Sequence, residues 1–360
     1  MIKWLWTKDK EWFDKWDVFN STVERGHYLQ YSDWLYSYKV YGFEVELLVG
    51  LENDEICIGY GIIKAKFSIF KFYVINCGPI VKEGFESYID ESIRIFLEKA
   101  RKERACYCHI NIPVAKEDYS WFCLPKETLN SDSIYFTGKT LGKGFPFKYV
   151  ASINGFSWVD LPQISEEERL SQFNTGRRKA IRVSLRSGLT VVEAKTPDEI
   201  RQAYNACELN ANDKGGYILR PWKEFQKYLL PLHEKGYAEF FMAFKDNDCK
   251  GALFVIKLNN RYHSNFGGFK REKPDLQAGS FLHWYVIRKA MKQNMPVYDN
   301  SVGGSKSVRE FKDSFSPVIS NFIDGRYWIL SPFKYSIYNA FIPWISKNKK
   351  RVSWILKFFR

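Results

Sequence analysis

An internal repeat limits the fold of this 360-residue chain more than any other feature of its sequence. The stretch EVELLVGLENDEICIGYGIIKAKF (44–67) reads as strand, acidic-polar turn and strand. AEFFMAFKDNDCKGALFVIKLNN (238–260) has the same order, with a Lys-Asp-Asn-Asp turn and a second strand led by glycine. A helix is expected before each hairpin, over 30–42 and 221–235, and each hairpin is followed by a short strand, a helix and another strand. In the first copy the helix is YIDESIRIFLEKARKE (88–103), with Ile89, Ile93, Phe96, Leu97 and Ala100 on one face, and the strand is CYCHINIP (106–113). In the second they are SFLHWYVIRKAMKQN (280–294) and PVYDNS (296–301). Copies about 190 residues apart are duplicated domains rather than solenoid repeats. Helix, antiparallel hairpin and then β-α-β specify an α+β class with mixed sheets flanked by helices.

The crossing between the copies falls at NGFSWVDLP (154–162). Ser165 with Glu168 forms a capping box, opening one long helix through SEEERLSQFNTGRRKAIRVSLRSG (165–188), with Gly188 as its stop. The expected domains are 1–155 and 156–325. The segment 326–360 is too long for the second copy and is expected to pack back on the first domain or to lie on a surface.

Hydrophobic residues make up 45% of the chain and aromatics 18%, which excludes a disordered protein. The net charge of +13 favours anionic partners, whether RNA, phosphorylated substrates or an anionic membrane. That charge is uneven. No acidic residue follows Asp324, while Lys347, Lys349, Lys350, Arg351, Lys357 and Arg360 lie in the tail among Trp354, Phe358 and Phe359. Such a tail either lies on an anionic membrane or docks on the first domain with its charges outward. Seven cysteines without disulfide-like spacing point to a reducing compartment. The start, MIKWLWTKDKEWFDKW, has no signal-peptide core, and no stretch reaches the roughly 18 apolar residues of a membrane span. A soluble, cytoplasmic monomer is expected, with the tail leaving open peripheral contact at the inner face of a bacterial membrane.

Several stretches carry a resemblance: QYSDWLYSYKVYG (30–42), NCGPIV (76–81), VDLPQISEEERLSQFNTGRRKAIRVSLRSGLTV (159–191), GGYILRPWKEFQKYL (215–229), VYDNSVGG (297–304) and EFKDSF (310–315). In this order and spacing the chain resembles the Fem-type (FemAB-like) family of non-ribosomal peptidyltransferases, tandem acetyltransferase-fold proteins that build peptidoglycan cross-bridges. The resemblance implies two acetyltransferase-like (GNAT) domains with a cleft between them. It also implies transfer of an amino acid from aminoacyl-tRNA to an amine of a nucleotide- or lipid-linked muropeptide, with no cofactor. The long coiled-coil arm of some members is missing, since no heptad pattern of that length occurs. Relatives of this fold also acylate sugars, so an acyl-CoA-dependent N-acyltransferase acting on an amino sugar of a surface polysaccharide is the alternative. For that alternative, DLQAGS (275–280) sits where a pyrophosphate loop belongs, but its glycine spacing is incomplete.

Aminoacyl transfer from an ester to an amine passes through a tetrahedral oxyanion, so a fixed cation near that oxygen is the main requirement. No G-x-S-x-G elbow is present, and none is needed. In SVREFKDSF (307–315), Val308, Phe311 and Phe315 form one apolar stripe, with Lys312 at its margin. Lys312 matches the lysine of the family's Phe-Lys motif, which the resemblance casts as the oxyanion-stabilising cation. Alternatively it snorkels along the two phenylalanines into water. The resemblance likewise implies phosphate-binding roles for Arg220, beside the helix start at Pro221, and for Lys39, and ordinary surface roles remain open for both. Tyr217, Tyr262 and Asp299 are further candidate substrate-binding residues.

Arg178, Arg182 and Arg186 form a basic stripe that either tracks an RNA or phosphate backbone or is a solvated helix face. Cys106, Cys108 and His109 lack the further ligands a metal site needs, so no metal is expected. His263 and His283 read as structural, with His263 on a strand that could face the cleft.

Overall fold

The computed structural model describes residues 2–67, 69–117, 122–141, 150, 153–213, 221–270 and 272–347, with backbone alone for 209–213 and 342–347. The chain divides into two compact units, Met1–Asn154 with Asn321–Arg360, and Gly155–Ser320.

The first unit begins with β1 (Lys3–Thr7), α1 (Lys10–Thr22) and α2 (Ser32–Tyr36). Its hairpin is β2 (Glu44–Glu52) and β3 (Glu55–Phe67), followed by β4 (Phe70–Asn76), β5 (Ile80–Val81), α3 (Ile89–Lys102), β6 (Tyr107–Asn111) and β7 (Lys139–Thr140). In the second unit, β8 (Gly155–Asp160), α4 (Glu166–Ser171), α5 (Thr175–Arg186), β9 (Thr190–Ala194), α6 (Pro197–Asp213), α7 (Trp222–Tyr228) and α8 (Leu230–Glu234) lead to the hairpin β10 (Ala238–Lys245) and β11 (Asp248–Leu258). Then come β12 (Arg261–Phe269), α9 (Ala278–Lys292), β13 (Val297–Asp299), α10 (Lys306–Asp313) and β14 (Val318–Asn321). The chain finally returns to the first unit with β15 (Arg326–Ile329) and α11 (Pro332–Lys347).

Both sheets are mixed. The first has the order β1-β2-β3-β4-β6-β15-β7, with β5 also on β3, and the second β14-β8-β13-β12-β11-β10-β9. Each contains a parallel pair, β4 with β6 and β12 with β13, joined by the crossover helices α3 and α9. The hairpin turns repeat as well. Asn53-Asp54 and Asp246-Asn247 both have positive φ at two residues, the conformation that suits the twist of a two-residue hairpin.

The duplication reaches individual side chains. Lys64 on β3 lies opposite Tyr73 on β4, and Lys257 on β11 lies opposite Tyr262 on β12. Lys64 pairs with Glu46 at 2.5 Å and with Glu103 at 2.9 Å, and the Tyr73 hydroxyl donates to Glu103. In the second unit the Tyr262 hydroxyl lies 3.1 Å from both Glu239 and Gln293.

Each core lies between the sheet and its crossover helix. Ile93, Phe96 and Leu97 of α3 pack on Tyr60, Ile62 and Ile75 in the first unit. In the second, Leu282, Val286 and Ile287 of α9 pack on Leu253, Val255 and Tyr298. The other face of the second sheet carries an aromatic cluster in which Phe254 lies 4.5 Å from Phe240 and 4.8 Å from Phe266. Helix α6 crosses close to this face. A Cβ on Gly268 would lie 2.3 Å from the Ala206 carbonyl oxygen.

Three of the expected helices differ in detail. The one over 165–188 is two, because Phe173 turns into the core and Asn174 starts afresh, its Oδ1 accepting the Arg177 N–H at 2.8 Å. The stretch 30–42 is interrupted because buried Gln30 serves the sheet instead, donating to Asn76 O at 2.6 Å and accepting the Gly61 N–H at 2.7 Å. Helix α2 follows, and a 3-10 turn (Ser37–Tyr41) ends at Gly42, whose φ is 74°. Over 221–235 the chain breaks between α7 and α8, where Pro231 supplies no N–H to continue the ladder.

Candidate active site

Lys312 stands in the last turn of α10, half-buried, with Phe315 buried just beyond the helix. Its ammonium does not reach out along the phenylalanines into water. It donates to the Ser301 carbonyl at 3.0 Å and the Gly303 carbonyl at 3.3 Å, leaving its third N–H without a partner among the described residues. Burial pulls its pKa below the ordinary lysine value, against the opposing influence of Asp299 and Asp313.

The loop that supplies these carbonyls is fixed from β13. Asp299 Oδ1 accepts the Ser301 N–H at 2.6 Å, and the Ser301 hydroxyl donates to Ser264 O at 2.8 Å. Positive φ at Ser301, Gly303 and Gly304 turns the carbonyls toward the ammonium. Asp299 is itself anchored by His263, whose Nδ1 lies 2.9 Å from Oδ2. Both residues are buried, and they are neighbours because β12 and β13 run parallel with His263 opposite Asp299. Burial lowers the His263 pKa although Asp299 pulls the other way. The neutral ring therefore donates its Nδ1–H to the carboxylate.

A second cation, this one buried, stands behind the lysine helix. The Arg177 guanidinium, 8% exposed, lies 4.0 Å from the Phe311 ring centre and 4.7 Å from that of Phe315. It donates to Ser314 Oγ at 2.8 Å, to Ser280 Oγ, and to Phe311 O at 3.4 Å. No carboxylate pairs with it among the described residues, and burial pushes its pKa down to about 10. His283, on α9, packs its ring against Phe311 and Phe315 and meets the Tyr298 hydroxyl at 2.6 Å. Burial, with the Arg177 and Lys312 charges, pushes its pKa down to about 3, so it is neutral at physiological pH. The ammonium is thus held by neutral dipoles, and a fixed donor of this kind suits an oxygen on which negative charge develops.

The other candidates are distributed as follows. Asp299 belongs to this cluster, through the loop it anchors. Tyr262 points to the opposite face of the sheet, where its hydroxyl meets Glu239 and Gln293, and it is not brought together with Asp299 or Lys312. Tyr217 and Arg220 lie outside the described residues, as do Trp354, Phe358, Phe359 and the cations from Lys349 onward. Lys39 is exposed in the first unit, its ammonium 3.8 Å above the Tyr36 ring. Arg178 is occupied locally, donating to Ser171 O at 2.7 Å and Thr175 Oγ1 at 2.9 Å. Arg182 and Arg186 are exposed and make no ion pair among the described residues. Cys106 and Cys108 are buried, their thiols pushed up by burial. His109 is buried and pushed down to about 3.

Arg177 was absent from the candidates drawn from sequence. The signal for it is its helical spacing, since Arg177, Ile181 and Ser184 are the buried residues of α5.

Residues 171–313 match the acetyltransferase (GNAT) domain family. No curated protein matches the sequence. Among solved structures, FemX superposes with a TM-score of 0.73 at 14% identity, over 93% of this chain and 100% of that one. The C-terminal domain of a putative lysylphosphatidylglycerol synthetase from Agrobacterium fabrum gives 0.52 at 13% identity, over 86% and 90%. A tandem GNAT protein from the clavulanic acid biosynthesis pathway gives 0.52 at 12% identity, over 91% and 98%. The chain shares the fold of FemX and of the tandem GNAT protein.

Proposed function

We propose that this chain of Fem-type tandem acetyltransferase fold is an acyltransferase that moves an aminoacyl group from aminoacyl-tRNA to an amine of a peptidoglycan precursor. The observation that carries the reading is Lys312. Its ammonium is fixed by two backbone carbonyls, is partly desolvated, and keeps one N–H for a ligand. In this reading the neutral acceptor amine attacks the ester carbonyl, the electrons of the C=O bond move onto oxygen, and Lys312 stabilises that oxyanion. The C=O bond then re-forms and the C–O bond to the tRNA ribose breaks, the ribose oxygen taking up the proton that the amine gives up. The ester is already activated, so no cofactor takes part. The net charge of +13 and the exposed Arg182 and Arg186 suit a polyanionic donor, and phosphate-binding roles are proposed for Lys39 and, separately, for Arg220. FemX and the putative lysylphosphatidylglycerol synthetase, whose name joins a lysyl group to a lipid, favour an aminoacyl group over an acetyl group.

The test is to mix the protein with charged tRNA and a muropeptide precursor and to look for an amino-acid-sized mass gain. Lys312→Ala is expected to slow the gain about 10²- to 10³-fold without lowering the melting temperature. No gain with any of the usual aminoacyl groups overturns the reading. Thermal stabilisation by CoA but not by tRNA would favour N-acylation of an amino sugar instead.

A further inference from the structure

Helix α11 presents its aromatic residues the wrong way round for a surface helix. Its tyrosines face the first unit, where Tyr335 stacks on Tyr107 at 6.0 Å with ring planes 7° apart. Tyr338 packs on Phe72 at 4.5 Å and on Phe70 at 5.7 Å. Phe333, Ile337 and Phe341, spaced every four residues, form a ridge along another side of the helix, where Phe333 is 77% and Phe341 53% exposed. A helix folded only for its own unit would bury the phenylalanines and leave the tyrosine hydroxyls to water.

Along the sequence, the charges from this part of the chain onward have one sign. From Gly325 to Arg360 the sequence has eight lysines and arginines and no acidic residue. A second copy of the chain would bring two such segments together with no carboxylate to pair them, which disfavours self-association through this face. A surface of lipid phosphates supplies the missing sign, and its acyl boundary accepts the phenylalanines. Among the described residues no helix is long and apolar enough to cross a membrane, so α11 would lie in the interface plane.

We propose that the Phe333–Ile337–Phe341 face of α11 docks on an anionic lipid surface. This goes beyond the transferase reading and does not depend on it. Co-sedimentation with vesicles of phosphatidylcholine mixed with phosphatidylglycerol tests it, against vesicles of phosphatidylcholine alone. The protein is expected to bind the mixed vesicles only, and less as salt is raised. Phe333→Glu with Phe341→Glu should weaken binding about tenfold or more at an unchanged melting temperature. The milder pair Phe333→Ser and Phe341→Ser provides a second measurement should the glutamates disturb folding. The proposal is overturned if mixed vesicles do not bind, if both pairs bind like the parent, or if the parent is a dimer in solution that the substitutions dissociate. The assay contains no acyl donor, so a negative transferase assay leaves its result standing.

Discussion

An ammonium that burial disfavours in its charged form loses its proton below the ordinary lysine value of 10.5. The sign of the pH dependence therefore distinguishes two roles for Lys312. If its charge stabilises an oxyanion, kcat/KM holds through neutral pH and falls as pH rises through a pKa below 10.5. If the free amine were a general base, the rate would climb across the same window. We expect the fall, and a pH profile of kcat/KM is the measurement. The position of Lys312 at the edge of an apolar stripe could be seen in the sequence, because one helical turn fixes it. The carbonyls that hold it could not, since Ser301 and Gly303 belong to a loop whose turn depends on Asp299. The partnership of Asp299 with His263 joins two residues far apart in sequence, and the parallel register of β12 and β13 creates it. Arg177 was hidden for another reason. A cation is counted as polar in any periodicity, yet here it occupies the buried face of α5.

Among the elements, those with strong local chemistry were legible: the two hairpins, α3, α9 and the short helix bearing Lys312. Those decided by one side chain's outside obligations were not. Gln30 and Phe173 each leave a helical pattern to serve the core, and no local propensity announces it. The packing of α6 on β12 depends similarly on one small residue. Gly268→Ala would place a methyl 2.3 Å from the Ala206 carbonyl oxygen and 2.6 Å from Cys207 Cα, both backbone atoms. It is expected to cost about 2–3 kcal/mol, read as a lower urea midpoint. An unchanged midpoint would mean that α6 can shift away from the sheet without loss.

For the whole molecule, the repeated hairpins foretold the duplication, and the matched positions of Lys64 with Tyr73 and Lys257 with Tyr262 show how deep it runs. What the repeat could not indicate is where the chain goes afterwards. β15 pairs with β6 on one side and β7 on the other, and is therefore an interior strand of the first sheet. Trp328 from it is part of the first core. A chain ending at Ser320 lacks this strand, along with Tyr335 and Tyr338. It is expected to lose the cooperative melting of the first unit and to become protease-sensitive within residues 1–154, as circular dichroism and limited digestion would report. Retention of both properties would show that the remaining strands suffice.

The interior place of β15 also bears on the order of synthesis. A ribosome delivers the first 154 residues early, but the strand between β6 and β7 emerges only after the whole second unit has been made. The sheet begun by residues 1–154 thus cannot be completed until the second unit has been made. Until then, the edge of β6 and the apolar residues around Trp328 are what a chaperone on the nascent chain would have to cover.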